Sequence, residues 1–208
     1  MLLIGNGRLL TRDQGNYIEN GAVAIEGNLI LEVGETAKLK QKYPQAEWIN
    51  ADGGVIMPGL VNTHNHIYSA FARGLSIKGY NPHDFNDILE GMWWKIDRLL
   101  TKENDSLSAQ AVYIDCIKNG VTTVFDHHAS YLDIPGSLDT IADAAKALGV
   151  RTSLCYEVSD RDGEAKMTEA VLENERMILR ANADESDMLK GMMGLHAAFT
   201  LSDETLAL

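Results

Sequence analysis

The sequence has few cysteines and no long apolar run. Cys116 and Cys155 are its two cysteines. Two are too few for a disulfide scaffold, and neither lies in a metal-type C-x-x-C spacing, so we expect small buried side chains in a reducing compartment. No segment approaches the roughly 18 apolar residues that span a bilayer. The first residues lack a basic region, and Gly5 and Gly7 interrupt them, which argues against an export signal. The sequence therefore predicts a cytoplasmic protein.

Basic side chains are also scarce. The chain has 18 Lys and Arg against 30 Asp and Glu, a formal net charge of -12. Nucleic acids and anionic membranes attract clustered Lys and Arg, so neither is expected as a partner. No G-x-G-x-x-G or G-x-x-x-x-G-K-[ST] pattern follows a strand-like run, so a doubly wound nucleotide-binding domain is poorly supported. The hydrophobic fraction, 45%, is that of an ordinary globular protein with a core.

Residues 1–53 differ from residues 54–208 in their predicted secondary structure. The first part reads as short β-rich runs broken at Asn6-Gly7 and Gly27-Asn28, with one helix from Thr36 to about Lys42. This pattern predicts a small antiparallel β module.

The second part alternates strands with helices. Gly120 and Gly149 each end a helical run and are followed at once by a strand-like run, which is typical of βα units that feed a parallel sheet. Four such strands predict an α/β fold. In the first long helix an apolar stripe of Leu107, Ala111, Ile114 and Ile117 is expected to face the core. The polar run 173–176 is expected to be a solvated helix face.

The first strand of the second part, "VIMPGLVNTHNH", is apolar and expected to be buried, and it ends in two histidines. Residues two apart on a strand point the same way, so His64 and His66 are expected side by side at the C-terminal strand end, where α/β barrels carry their chemistry. A pair of neutral imidazoles suits a divalent transition metal such as Zn²⁺. Such an ion lowers the pKa of a bound water to about 7. The alternative is a chance pair of exposed histidines.

Two longer strings carry a family resemblance. "MPGLVNTHNHIYSAFARGL" (57–75) resembles the metal-binding signature of the amidohydrolase superfamily, and "GLHAAFTLSDETL" (194–206) resembles a motif of its deaminase and chlorohydrolase branch. Within that branch the sequence is most similar to the SsnA-type aminohydrolases. The resemblance implies the first half, four βα units, of a TIM-like (β/α)8 barrel after an N-terminal β-sandwich segment. It also implies a metal-dependent hydrolase of non-peptide carbon–nitrogen bonds.

The resemblance assigns roles to three histidines. His64 and His66 become ligands of one divalent ion, Zn²⁺ first and Fe²⁺ second, and His196 contacts the substrate. The remaining ligands and the proton-transferring groups belong to later strands, which have no place in these 208 residues. The sequence therefore predicts an N-terminal half that holds no catalytic residue, binds metal weakly or not at all, and is inactive by itself.

The resemblance also suggests a reaction. Metal-bound hydroxide would deaminate, or as a variant dechlorinate, a small nitrogen heterocycle. Members with two metal ions often carry a lysine at the tip of the fourth strand, and Lys190 lies at its entry instead. This favours the one-metal reaction over the cyclic-amide hydrolysis of a dihydroorotase-like enzyme, which is the second hypothesis. A non-enzymatic half-barrel that self-associates, as a homodimer, through its open sheet edges is the third.

Five other side chains are weaker candidates. His127 and His128 end the second strand, alternation aims one of them inward, and we favour His128 as the residue that lines the pocket. Trp93 and Trp94 lie in the long loop after His66 and could stack on a flat substrate, although packing of the loop on the barrel is the simpler role. Arg73 in the same loop is expected to orient the loop or pair with an acid.

Overall fold

The computed structural model describes residues 1–13 and 16–208, which form two compact units, Met1–Gly59 and Leu60–Leu208. The boundary predicted after residue 53 lies just before Val55–Ile56. These two residues pair in parallel with Arg8 and Leu9 and so belong to the first sheet. Within the described residues, no helix combines the length and the apolar character that a membrane span requires.

The first unit is a five-stranded sheet with one short helix. It comprises β1 (Leu2–Leu10), β2 (Tyr17–Glu26), β3 (Leu29–Glu35), α1 (Thr36–Lys42), β4 (Glu47–Asn50) and β5 (Val55–Ile56). The strand order is β3-β2-β1-β4, and β5 also pairs with β1. Leu39 of α1 packs on Leu3, Ala22 and Ala24. The predicted helix is therefore present with its expected bounds.

The first unit departs from the prediction in two ways. β1, β2 and β3 pair antiparallel as expected, but β4 and β5 lie parallel to β1, so the module is mixed. The predicted break at Asn6-Gly7 is a bulge inside one continuous strand. Asn6 has φ +60, a conformation that Asn tolerates better than most residues, and its N–H donates to Thr36 Oγ1 at 2.9 Å. The same residue types, Asn and Gly, occur in turns and in β-bulges, so the sequence does not distinguish the two.

The second unit alternates strands and helices. Its elements are β6 (Leu60–Asn65), α2 (Phe85–Ile88), α3 (Trp94–Ile96), α4 (Lys102–Lys118), β7 (Val121–His128), α5 (Ser137–Leu148), β8 (Arg151–Val158), α6 (Glu164–Asn182), β9 (Leu189–Gly191), β10 (Gly194–Leu195) and α7 (Asp203–Leu206). All strand pairs are parallel, in the order β6, β7, β8 and then β9 with β10. The predicted succession of four parallel strand positions is confirmed.

The strand order follows the chain without a reversal. A doubly wound nucleotide-binding sheet has a point where the order reverses, and β6 to β10 have none. Two details differ from the prediction. The fourth strand is split into β9 and β10 around Met192 and Met193. β6 was expected to be buried, but it is an edge strand whose Leu60 and Val61 are each about half exposed (50% and 53%).

The core of the second unit lies between the sheet and helices α4, α5 and α6. Val124, Leu154 and Tyr156 contribute one face of the sheet, and Tyr113 and Leu138 contribute the helices. The opposite face of the sheet, which carries Phe125 and Cys155, borders a cleft. Side chains on each strand alternate between these two environments.

Helix α4 buries the face opposite to the predicted one. Leu107, Ile114 and Ile117 are 46–52% exposed, whereas Val112 and Tyr113 are buried, together with polar Asp105 and Ser108. Asp105 lies against His128 of β7, with 3.4 Å between Oδ2 and Nε2. The buried face also carries Ala109, Val112, Tyr113 and Cys116, so α4 has apolar residues on both faces, and periodicity does not say which of them packs on the sheet.

The polar run 173–176 of α6 is only partly the solvated face expected, because Glu175 is exposed but the first two residues are buried. Glu173 is 2% exposed and accepts hydrogen bonds from the N–H groups of Gly136 and Leu138 at the start of α5. Asn174 is fully buried. Its Oδ1 accepts from the N–H of Tyr156, and its Nδ2 donates to the carbonyl of the same residue. These two side chains attach α6 to its neighbours by satisfying their backbone groups.

Candidate functional site

The two histidines at the end of β6 converge on one point. The Nε2 atoms of His64 and His66 are 3.0 Å apart, and the rings meet edge to face with centroids 5.0 Å apart. Asn65 between them points elsewhere and donates from Nδ2 to Asp126 Oδ1 at 3.3 Å. The strand alternation expected from the sequence is therefore what the structure shows at these positions.

One ring of the pair is held in a defined orientation. His66 Nδ1 lies 2.9 Å from the carbonyl oxygen of His127. A carbonyl can only accept a hydrogen bond, so Nδ1 carries the proton and Nε2 keeps a free lone pair. Histidines that bind metals commonly donate the other ring N–H to a carbonyl or carboxylate in this way. His66 is thus prepared to donate electrons through Nε2.

Asp126 anchors the backbone that follows His66. Its Oδ1 accepts from the N–H of Ile67 at 2.7 Å as well as from Asn65. The side chain is 1% exposed, and burial raises the pKa of this carboxyl to about 7. It therefore fixes the turn out of β6 and, with it, the position of His66.

A cleft of about 500 Å³ opens beside the histidine pair. Strands β6, β7, β8 and β10 and the segments on either side of β10 contribute to it. The titratable residues of its lining are His64, His66, Asp126, His127, Cys155 and His196, and its apolar residues include Phe125, Met192 and Leu195. Sequence reasoning placed His64, His66 and His196 at one rim, and the structure brings all three to this cleft.

The prediction that His128 lines the pocket is wrong, because His127 does so instead. His128 is fully buried, and its Nε2 contacts Ser130 Oγ at 2.9 Å and Asp105 Oδ2 at 3.4 Å. Burial by itself lowers the pKa of His128, but the carboxylates of Asp105, Asp126 and Glu173 together outweigh it and leave the pKa raised. His128 pairs in register with Tyr156, whereas His127 pairs with Cys155. The register between β7 and β8 decides which of the two consecutive histidines faces the cleft, and this register cannot be predicted from the sequence.

Trp93 is likewise not among the residues that border the cleft. It packs against the core, edge to face with Tyr68 at 6.0 Å between ring centroids, which is the packing role considered from the sequence. Trp94 lies closer to the site, 6.4 Å from the ring of His196. Arg73 pairs with an acid, as expected, since its Nη1 is 2.6 Å from Asp115 Oδ2.

His196 follows β10 and is half-buried at the wall of the cleft. Its backbone N–H donates to the carbonyl of Val158, which extends the pairing of β10 with β8. Its Nδ1 lies 2.8 Å from Thr200 Oγ1. Burial lowers the pKa of His196, so the ring is neutral at pH 7.

Sequence reasoning missed a buried ion cluster behind His196. Arg161 donates through Nη2 to Asp97 Oδ2 at 2.6 Å and through Nε to Glu157 Oε1 at 3.0 Å. The other oxygen of Glu157 lies 3.9 Å from His196 Nε2. Glu157 and Arg161 are four residues apart, but Asp97 is 64 residues from Arg161, so no local pattern predicts the cluster. The cluster joins the loop after β6 to the end of β8.

The donor set fits part of a metal site. Two Zn–N bonds of about 2.0–2.1 Å at a tetrahedral angle separate two nitrogen atoms by about 3.3 Å, and the Nε2 atoms of His64 and His66 are 3.0 Å apart. A structural or catalytic zinc takes three or four protein ligands. Among residues 1–13 and 16–208, no three His, Cys, Asp or Glu side chains are grouped to hold an ion. The pair therefore accounts for two ligand positions.

Family models match both units. A model described as "Amidohydrolase family" matches residues 55–208, and one described as "Imidazolonepropionase-like composite domain, bacteria" matches residues 21–46. The first match includes the histidine pair and the whole cleft. The second covers part of the first unit and none of the residues at the cleft.

Curated relatives match nearly the whole chain. The 5'-deoxyadenosine deaminase of Methanosarcina barkeri is 31% identical over 208 residues, which are 99% of this chain and 44% of the relative. The 5-methylthioadenosine/S-adenosylhomocysteine deaminase of Bacillus cereus is 27% identical over 202 residues, 93% of this chain and 42% of the relative. The chain thus spans less than half the length of these relatives.

Solved structures share the fold. Atrazine chlorohydrolase TrzN from Arthrobacter aurescens, complexed with zinc, superposes with a TM-score of 0.76 at 22% identity, over 99% of this chain and 49% of that one. Guanine deaminase from E. coli superposes with a TM-score of 0.78 at 19% identity, over 100% and 49%. At these identities the likeness establishes the fold, four βα units after a β-sheet unit, as expected from the sequence.

Proposed function

Because the chain belongs to the amidohydrolase family, we propose that it carries the first-strand portion of the active site of a hydrolase. The reaction would break a carbon–nitrogen bond other than a peptide bond, by deamination of a nitrogen heterocycle. Water adds to the ring carbon and the bond from that carbon to the amino nitrogen breaks. One proton of the water leaves with the amino group as ammonia, and the other stays on the ring, which now carries the oxygen. Dechlorination is the variant in which chloride leaves.

The observation that carries the proposal is the convergence of His64 and His66. Their Nε2 atoms are 3.0 Å apart, and the carbonyl of His127 leaves the lone pair of His66 Nε2 free. These two side chains would hold one divalent ion, Zn²⁺ first and Fe²⁺ second. Such an ion makes water nucleophilic at neutral pH and polarises the bond under attack.

The other side chains of the cleft have supporting roles in this proposal. Asp126 holds the turn after His66, which keeps the imidazole in place. His196 would contact the heterocycle as a neutral ring. Phe125, Met192 and Leu195 give an apolar wall that suits a flat ring and excludes water around it.

Lys190 favours the one-metal reaction over cyclic-amide hydrolysis. Its Nζ is 2.6 Å from Asp187 Oδ1 and its side chain is 58% exposed. It lies in register with Ser153, near the start of β8, at the end of the sheet opposite His64. It cannot bridge two ions in the cleft. The named substrates of the relatives, 5'-deoxyadenosine, 5-methylthioadenosine and S-adenosylhomocysteine, all carry an adenine ring, which supports an amino-substituted heterocycle.

Metal binding tests the histidine pair directly. We would titrate Zn²⁺ into the 208-residue chain by calorimetry and compare His64→Ala, His66→Ala and His83→Ala. His83 is an exposed histidine outside the cleft and is the matched control. We expect weak binding of one ion that either cleft variant abolishes and His83→Ala leaves unchanged. Equal binding by all four proteins would remove the proposed site.

Turnover tests the reaction. Ammonia release from 5'-deoxyadenosine and guanine, and chloride release from a chlorotriazine, would be measured for the product of the gene that encodes these residues. We expect release that His66→Ala abolishes and His83→Ala retains. Ring opening of a cyclic amide without ammonia release would favour the second hypothesis. For the 208 residues by themselves we expect no turnover, because two imidazoles fill half of a tetrahedral site.

Self-association remains a further part of the proposal. β6 is an edge strand with two half-exposed apolar side chains, Leu60 and Val61, and open edges favour pairing between chains. We expect a homodimer, and sedimentation at low concentration would test it. A stable monomer would contradict the expectation.

A further inference from the structure

Resting on the proposed function, we propose that Thr200 fixes His196 as the tautomer with a proton on Nδ1. His196 Nε2 then presents a lone pair to the cleft. The substrate group that meets it must therefore be a hydrogen-bond donor, an N–H or an O–H. A bare ring nitrogen or a carbonyl oxygen does not fit this position.

The tautomer follows from a short chain of hydrogen bonds. Thr200 Oγ1 lies 2.8 Å from the carbonyl oxygen of Ala197 and 2.8 Å from His196 Nδ1. The hydroxyl has one proton, and a carbonyl can only accept, so the hydroxyl donates to Ala197. Its oxygen is then left to accept, and the group that donates to it is the Nδ1–H of His196. The reverse arrangement would set two oxygen lone pairs against each other at 2.8 Å.

Nε2 is free to meet a ligand. Within residues 1–13 and 16–208 no group forms a hydrogen bond to it. The nearest acid, Glu157, has Oε2 at 3.9 Å, beyond hydrogen-bonding distance. The other oxygen of Glu157 accepts from Arg161 Nε, which binds the carboxylate on the side away from His196. Burial, in addition, keeps the imidazole neutral.

Thr200 acts as a positioning residue in this scheme. It lies in the turn Ala198–Thr200 that follows β10, and its N–H donates to the same carbonyl of Ala197. The turn therefore places the hydroxyl without a contribution from substrate. The acceptor character of Nε2 is a property of the free protein and precedes binding.

Nitrogen-15 NMR of the histidine rings tests the tautomer without metal or turnover. The signals of His196 would be identified by their loss in His196→Gln, and wild type would be compared with Thr200→Val and Thr200→Ser. We expect wild type and Thr200→Ser to show protonated Nδ1 and bare Nε2, and Thr200→Val to shift toward protonated Nε2. A protonated Nε2 in wild type overturns the proposal whether or not the variants fold. An unchanged tautomer in Thr200→Val overturns the role of Thr200.

A matched pair of probes tests the recognition. Benzimidazole and benzoxazole differ by an N–H against an oxygen atom, and EDTA removes any ion that could bind either ring. We expect benzimidazole to bind about two- to tenfold more tightly, as one added hydrogen bond allows, and the preference to vanish in His196→Gln. Equal affinities, or a preference for benzoxazole, would overturn the donor requirement. Neither experiment depends on metal binding or ammonia release, so failure of the proposed reaction gives a separate result.

Discussion

Replacing Arg161 with Met should strongly destabilise the second unit. The guanidinium is 4% exposed, bridges Asp97 and Glu157, and lies over the ring of Tyr131 at 3.8 Å. Met keeps much of the volume but removes the cation, so two buried carboxylates lose their partner. Breaking a buried ion pair from one side typically costs about 3–5 kcal/mol.

This loss is large relative to the stability of a domain. Folded domains are stable by about 5–15 kcal/mol, and at this chain length each kcal/mol corresponds to about 2–4 °C in Tm. We therefore expect Arg161→Met to lower Tm by about 6–20 °C. Arg73→Met is the matched control, because Arg73 pairs with Asp115 at 2.6 Å with both side chains about half exposed (56% and 50%). An exposed pair of this kind contributes at most about 1 kcal/mol.

The pH dependence separates lost charge from lost packing. Burial outweighs Arg161 and raises the pKa of Asp97 to about 6, and removal of the cation raises it further. A protonated carboxyl needs no cation, so Arg161→Met should cost less at pH 5 than at pH 8. Urea unfolding followed by circular dichroism at both pH values measures this. An equal cost at pH 5 and pH 8, or a cost no larger than that of Arg73→Met, would refute the electrostatic account.

Three further predictions follow from other contacts. Asn174→Ala removes four buried hydrogen bonds, to backbone groups of Tyr156, Gly194 and Ala170, and should lower the free energy of unfolding by about 2–4 kcal/mol; a loss below about 1 kcal/mol in urea unfolding would contradict this. Gly194→Ala would place a Cβ 2.3 Å from the carbonyl oxygen of Tyr156, so we expect the free energy of unfolding to fall by about 1–3 kcal/mol. The NMR signal of His196, two residues further on, should also change. A variant as stable as wild type would show that β10 can move to relieve the clash. Because the pKa of Asp97 is raised to about 6, the folded state holds a proton that the unfolded state has lost, so this group should lower the free energy of unfolding by about 1 kcal/mol from pH 5 to pH 8. Asp126, whose pKa burial raises to about 7, acts in the same direction, so Asp97→Asn should make the fall with pH shallower without removing it; an unchanged slope would show that Asp97 does not contribute.

Local patterns anticipated much of the fold and part of the site. The glycines after α4 and α5 were read as helix ends, and both Gly120 and Gly149 adopt the positive φ (72° and 71°) that favours glycine. The spacing of His64 and His66 predicted two rings on one side of a strand, and the rings meet. The family resemblance of the same stretch is confirmed by the match over residues 55–208. The metal and substrate roles of these histidines remain predictions.

Three of the errors share one cause. His128 was preferred to His127, the apolar stripe of α4 was assigned to the core, and Glu173 with Asn174 was assigned to solvent. In each case the local conformation was right, and the neighbour against which it packs was wrong. Either face of a helix or strand can pack against another element, and the sequence of the helix or strand does not determine which face does so.

The sequence by itself determined where most strands and helices occur, that the strands of the second unit run parallel, and that two imidazoles stand together at a strand end. These properties depend on backbone sterics and on periods of 2 and 3.6 residues, which operate within one element. Only the tertiary structure decided that His127 joins the cleft, that the face of α4 with Asp105 packs toward His128, and that Arg161 bridges Asp97 and Glu157. These depend on register and on contacts between different elements, and burial makes each such contact far stronger than any local preference.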